Sequence, residues 1–71
     1  MSKGKKIKLL REALNTTQTE LAQKTKSSKQ TIYKYENDII TNIPSDKIMA
    51  LAKALNTTPM YLMGWSDEPE E

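Results

Sequence analysis

Lys29, Gln30, Tyr33, Lys34 and Asn37 are spaced so that a helix drawn through them gathers hydrogen-bonding groups. At about 100° of turn per residue, Gln30, Tyr33, Lys34 and Asn37 share one face, Lys29 lies at its edge, and Ile32 and Tyr35 point the opposite way. The outward face holds donors, an amphipathic ring and no acid. Its chemistry is hydrogen bonding. Lys29 or Lys34 can donate to guanine O6 and N7, and Gln30 can bond adenine N6 and N7. Thr31 or Tyr33 can meet a thymine methyl or a phosphate. A solvated surface helix could carry the same face, so the surrounding elements have to decide.

The chain has 71 residues and neither Cys nor His. That excludes disulfides, thiolate zinc sites, imidazole catalysis and histidine metal ligands. One small domain of this length buries only about 60 % of its unfolded surface and has little room for a deep catalytic pocket. No glycine-rich phosphate loop occurs, carboxylates are scattered, and helix capping accounts for Ser27 and Ser28 beside Lys29. No enzyme activity and no cofactor are expected. The apolar run 48–52 is far too short to span a bilayer, and the Lys-rich start has no apolar segment after it. The expectation is a cytoplasmic protein without membrane contact. Net charge is +2, yet residues 1–34 hold nine bases and two acids, and residues 35–71 hold two bases and seven acids. A basic half of this strength attracts polyanions.

Five helices should position these residues. Ile7, Leu10 and Leu14 recur at helical spacing over 4–14, Leu21, Ala22 and Thr25 over 18–25, and Ile32 with Tyr35 over 28–37. Pro44 or Ser45 opens a fourth helix with Ile48, Leu51, Ala52 and Leu55 as its stripe. Residues 59–63 form a fifth, stopped by Gly64. The pentapeptide ALNTT occurs at 13–17 and again at 54–58, with unrelated sequence after each copy. It reads as punctuation: Asn in the left-handed position after one helix, Thr as the cap of the next. Thr17 with Glu20 forms a capping box, and Pro59 suits a first helical turn. The prediction is an all-α, compact bundle of five short helices in a domain over 1–65. The acidic segment 66–71 is expected to be a tail or the start of a linker.

The second and third helices are joined by too few residues to lie antiparallel, so they must cross steeply, as in a helix-turn-helix. The stretch QTELAQKTKSSKQTIYKYEN, residues 18–37, resembles that motif in the Cro and phage-repressor (XRE) type. Leu21, Ala22, Ile32, Tyr35, the YEN ending and the closing TPMYLMGW carry the likeness, which runs from about Lys6 to Trp65. The resemblance implies a lambda-repressor-like DNA-binding domain of a repressor, active by occupying its operator with the third helix in the major groove. Lys29, Gln30, Tyr33 and Lys34 then fall at base-reading positions. Gln18, Ser28, Thr31 and Asn37 fall at backbone-contacting ones, and Gln18 also matches a residue that braces the first reading residue. Arg11 and Glu36 match a pair that joins the first helix to the end of the third. Where the family has Gly, this chain has Lys26 and Asp38, at turn positions that ask for positive φ.

The implied partner is a double-stranded, palindromic operator bound by two copies. Met60, Tyr61, Met63 and Trp65 supply the candidate surface for a weak homodimer formed on DNA. An oligomerisation domain could follow in a longer parent protein. The rival reading is a small helical interaction module, such as an antitoxin or adaptor, that uses the same Met and aromatic residues to bind a protein. Salt-dependent binding to random duplex DNA separates the two.

Overall fold

The computed structural model describes residues 2–64, which form five α-helices and no strand. They are α1 Lys3–Ala13, α2 Gln18–Lys24, α3 Lys29–Glu36, α4 Ser45–Ala54 and α5 Pro59–Met63. Trp65 and the acidic segment 66–71 lie outside the described residues. Every expected helix is present, with no end shifted by more than one residue. α1 packs on α3 and α5, α2 packs on α3 and α4, and α4 packs on α5. Six side chains at their centre are fully buried: Ile7, Leu21, Ile32, Leu51, Leu55 and Leu62. Each contributes about 1.5–3 kcal/mol through its burial.

Two side chains of α1 depart from the pattern. Leu14 was expected on the apolar stripe but is 41 % exposed, because the helix has already ended and Leu14 is its cap. Lys6, counted above among the charges of the basic half, is only 2 % exposed. Its ammonium donates to the Tyr61 carbonyl at 2.9 Å and sits 4.7 Å from the centre of the Tyr61 ring. A lysine stem is long enough to cross an apolar surface and place its charge on such a partner. Lys6 therefore ties α1 to α5.

Four of the five helices end in the same turn. Asn15, Lys26, Asp38 and Asn56 take φ of 53°, 55°, 58° and 55°. After each, the next residue's N–H returns to the carbonyl five back: Thr16 to Arg11, Ser27 to Ala22, Ile39 to Lys34 and Thr57 to Ala52. This is the Schellman arrangement, which satisfies carbonyls that the helix leaves open. Both copies of ALNTT therefore do what their residues predict, and Thr17 and Thr58 cap the following helices. Lys26 has no such local excuse for φ > 0. Its turn is held from outside, where Lys47 of α4 donates to the carbonyls of Thr25 and Lys26 at 2.8 and 2.9 Å.

Gly4 fixes how closely α1 approaches α3. A Cβ at that position would lie 2.2 Å from the Tyr35 carbonyl oxygen and 2.8 Å from that of Glu36. The backbone of α1 thus meets the last carbonyls of α3 with nothing between them. Asp38 completes the junction by accepting the Gly4 N–H at 3.3 Å.

Candidate nucleic-acid interface

Between α2 and α3 only residues 25–28 intervene, and both helix starts are capped by side chains. Thr17 Oγ1 accepts the Glu20 N–H at 3.1 Å while the Glu20 carboxylate accepts the Thr17 N–H at 2.9 Å. The Thr17 N–H, and after it the Thr17 hydroxyl, hold the Glu20 carboxyl below the ordinary value of 4.5. Ser28 caps α3 through the Thr31 N–H, and the Ser28 and Thr31 hydroxyls lie 3.0 Å apart. One hydroxyl hydrogen fills that contact, so the pair keeps one hydrogen to donate.

Residues from both helices meet in one open cleft lined by Gln18, Lys29, Gln30 and Tyr33. Ile32 and Tyr35 anchor α3 in the core behind it. Burial forces the apolar side of α3 inward, and the helical period then turns Lys29, Gln30, Tyr33 and Lys34 outward. All four are exposed, Tyr33 by 51 %. Asn37 is exposed at the helix end, with one amide hydrogen on the Tyr33 carbonyl at 2.9 Å. A straight run of eight residues is about 12 Å long, comparable to the width of a major groove. The face can present donors and acceptors to base edges along that length.

Arg11, Glu36 and Gln18 converge beneath the cleft. Arg11 Nε donates to Glu36 Oε2 at 2.6 Å, and Arg11 Nη2 donates to Oε1 at 3.1 Å. The Glu36 side chain is wholly buried and that of Arg11 is 12 % exposed. The hydrogen bond to Glu36 raises the Arg11 pKa against the opposing effect of burial. Arg11 Nη1 also reaches the Thr16 carbonyl at 2.8 Å, in the segment that leads into α2. Gln18 Nε2 donates to Glu36 Oε1 at 3.0 Å. Gln18 was expected to brace Lys29; its amide nitrogen goes to Glu36 instead, because a carboxylate accepts what an ammonium cannot. Among the described residues, no buried side-chain nitrogen or oxygen is left without a partner.

Of the expected apolar surface, Met60 and Met63 line a second cleft together with Met49, Ile48 and Pro59. Tyr61 does not line it and turns to Lys6. Met49, 62 % exposed, takes its place. Sequence reasoning also missed Lys47 and Gly4. A glycine in a helical turn, where Ala is about 1 kcal/mol better, was the one available signal for Gly4. Lys47 gave none, since its partners lie in the distant turn between α2 and α3. Among the described residues, no group of acids could hold a metal ion, and no helix is long and apolar enough to cross a membrane.

Fold and face together define a helix-turn-helix DNA-binding domain. The helix-turn-helix family model matches residues 7–62, and the chain belongs to that family, in its Cro and phage-repressor (XRE) branch. Comparison with curated proteins gives no match. Among solved structures the chain is similar to the P22 c2 repressor protein in complex with synthetic operator 9T. That likeness has 26 % identity, 93 % of this chain and 98 % of that one covered, and a TM-score of 0.86. It also shares its fold with SinR, the master regulator for biofilm formation, in complex with DNA. There identity is 23 %, coverage 86 % and 97 %, and the TM-score 0.81. The SinR and SinI complex gives the same identity and TM-score, with 86 % of this chain and 59 % of that chain covered.

Proposed function

We propose that this chain is the sequence-specific, double-stranded DNA-binding domain of a transcriptional repressor and acts by occupying its operator. The observation that carries the reading is the cleft in which Gln18 of α2 adjoins Lys29, Gln30 and Tyr33 of α3. In a major groove, Lys29, Gln30, Tyr33 and Lys34 read bases. Gln18, Ser28, Thr31 and Asn37 hold the phosphates on either side. The similar P22 c2 repressor is bound to a synthetic operator, which supports an operator as the partner here. No covalent chemistry takes place: repression is exclusion of the transcription machinery in the cytoplasm. Residues 66–71 serve as a linker toward any further domain.

Two copies bind a palindrome, meeting through Met49, Met60 and Met63. The apolar cleft is the observation that favours a protein contact, and a second copy on adjacent DNA uses it at high effective concentration. Selection of bound sequences from a random DNA pool, with affinities at two salt concentrations, tests the whole reading. A two-fold symmetric consensus and a steep fall of affinity with salt are expected. Absence of binding to any duplex at low salt would refute it and leave the cleft as the docking site of another protein.

A further inference from the structure

We propose that Glu36 is a positioning residue for DNA binding: its buried carboxylate, anchored by Arg11, holds the Gln18 carboxamide so that a free N–H faces the DNA backbone. This rests on the reading of Gln18 as a phosphate contact. A glutamine amide has one accepting and one donating end, and a loose side chain offers either to solvent. A phosphate only accepts, so half of those orientations repel it.

Glu36 removes the ambiguity because a carboxylate also only accepts. The donating end of Gln18 must face it, and does so at 3.0 Å. One amide hydrogen is used there and the second remains on the same nitrogen. Two Arg11 bonds fix the carboxylate that does this, and neither oxygen can swing away. A third Arg11 bond, to the Thr16 carbonyl, holds the backbone two residues before Gln18. The rotamer entropy that a phosphate would otherwise remove from Gln18 is already lost on folding.

The frame includes the reading helix. Glu36 is the last residue of α3, and Lys29 and Gln30 are its first two. The backbone contact on α2 is therefore tied directly to the helix that carries the base contacts, so their register is set before DNA arrives.

The test compares Gln18→Ala in two backgrounds: the natural chain, and a chain in which Arg11→Met and Glu36→Leu replace the ion pair by apolar residues of similar size. Folding of each is checked by its melting curve, and affinity is measured on random and selected duplexes. In the natural chain, Gln18→Ala should weaken both duplexes alike, by about three- to tenfold, and leave the salt slope unchanged, because a neutral amide displaces no counterion. In the apolar background the same change should cost less than about twofold, since the amide is no longer held. Equal losses in both backgrounds would overturn the positioning role and leave the contact intact. No loss in the natural chain would remove the contact and the proposal with it. NMR of the natural chain gives an answer that needs no variant. The Gln18 side-chain amide protons should be dispersed and slow to exchange without DNA, and random-coil shifts there overturn the proposal.

Discussion

Truncating Lys29 or Gln30 removes something different from truncating Gln18. The first two face base edges, so Lys29→Ala and Gln30→Ala should each cost roughly 1–3 kcal/mol on the best site and relax preference at one base pair. Gln18→Ala should weaken all duplexes alike. Competition binding against a panel of single-base variants separates the two outcomes, and unchanged base preference in both α3 variants would sink the assignment. Arg11 and Glu36 act on the fold itself. Removing either alone leaves a buried charge and should cost about 3–5 kcal/mol, against much less for Arg11→Met with Glu36→Leu. Denaturant unfolding of the four proteins gives the coupling, and a value near zero would contradict the 2.6 Å bond. Helical spacing alone predicted the outward face of α3. The tie from Gln18 to Glu36 was not legible, because their side chains, 18 positions apart, meet only once α2 and α3 are packed.

At the level of helices and turns, local chemistry explains most of what forms. Asn15 and Asn56 tolerate positive φ, Thr17 and Thr58 cap, and the stripe of α4 is buried throughout. Lys26 is the exception, and Lys26→Gly should relieve its left-handed strain and stabilise by about 1 kcal/mol. That corresponds to a rise in Tm of roughly 4–8 °C. Asp38→Gly should gain nothing, since it also deletes the acceptor of the Gly4 N–H. Gly4→Ala should destabilise by about 2–3 kcal/mol or more, because backbone rather than a flexible side chain stands in the way. Parallel thermal melts would rank the three. The start of α2 adds a pH dependence. Glu20's carboxyl is depressed by its Thr17 bonds, so its contribution is present above 4.5 and lost as pH falls through the lower folded value. The stability difference between the natural chain and Glu20→Gln should therefore shrink below pH 4.5, and a difference independent of pH would show that the carboxylate is not the capping group.

For the molecule as a whole, charge counting along the chain was only partly right. Lys6 and Arg11 belong to the basic half but serve as internal ties, so the field of that half comes from the exposed lysines of α1, α2 and α3 and of the turn between the last two. The apolar cleft, lined by only a few side chains of α4 and α5, argues for a weak self-contact. The domain should sediment as a monomer at micromolar concentration, and two copies should saturate one palindrome with half-site centres about 34 Å apart. A stable dimer without DNA, or saturation by a single copy, would contradict this. Tyr61 looked like part of that surface because Met60, Tyr61 and Met63 are close in sequence. Neighbouring positions on a helix point about 100° apart, and only packing could reveal that Tyr61 faces α1.

The bond from Lys6 to Tyr61 spans 55 positions, so the first helix is fastened by a segment that leaves the ribosome long after it. At about 5–20 residues per second, synthesis of that interval takes roughly 3–10 s. Throughout it Ile7 has no α5 beside it, and Leu62, which closes the core, does not yet exist. A nascent chain arrested before α5 should therefore remain sensitive to protease and unable to hold an operator, and competence should arrive in one step as Leu62 clears the exit tunnel. Repression would then begin only from finished domains, never from partial ones still attached to their messenger.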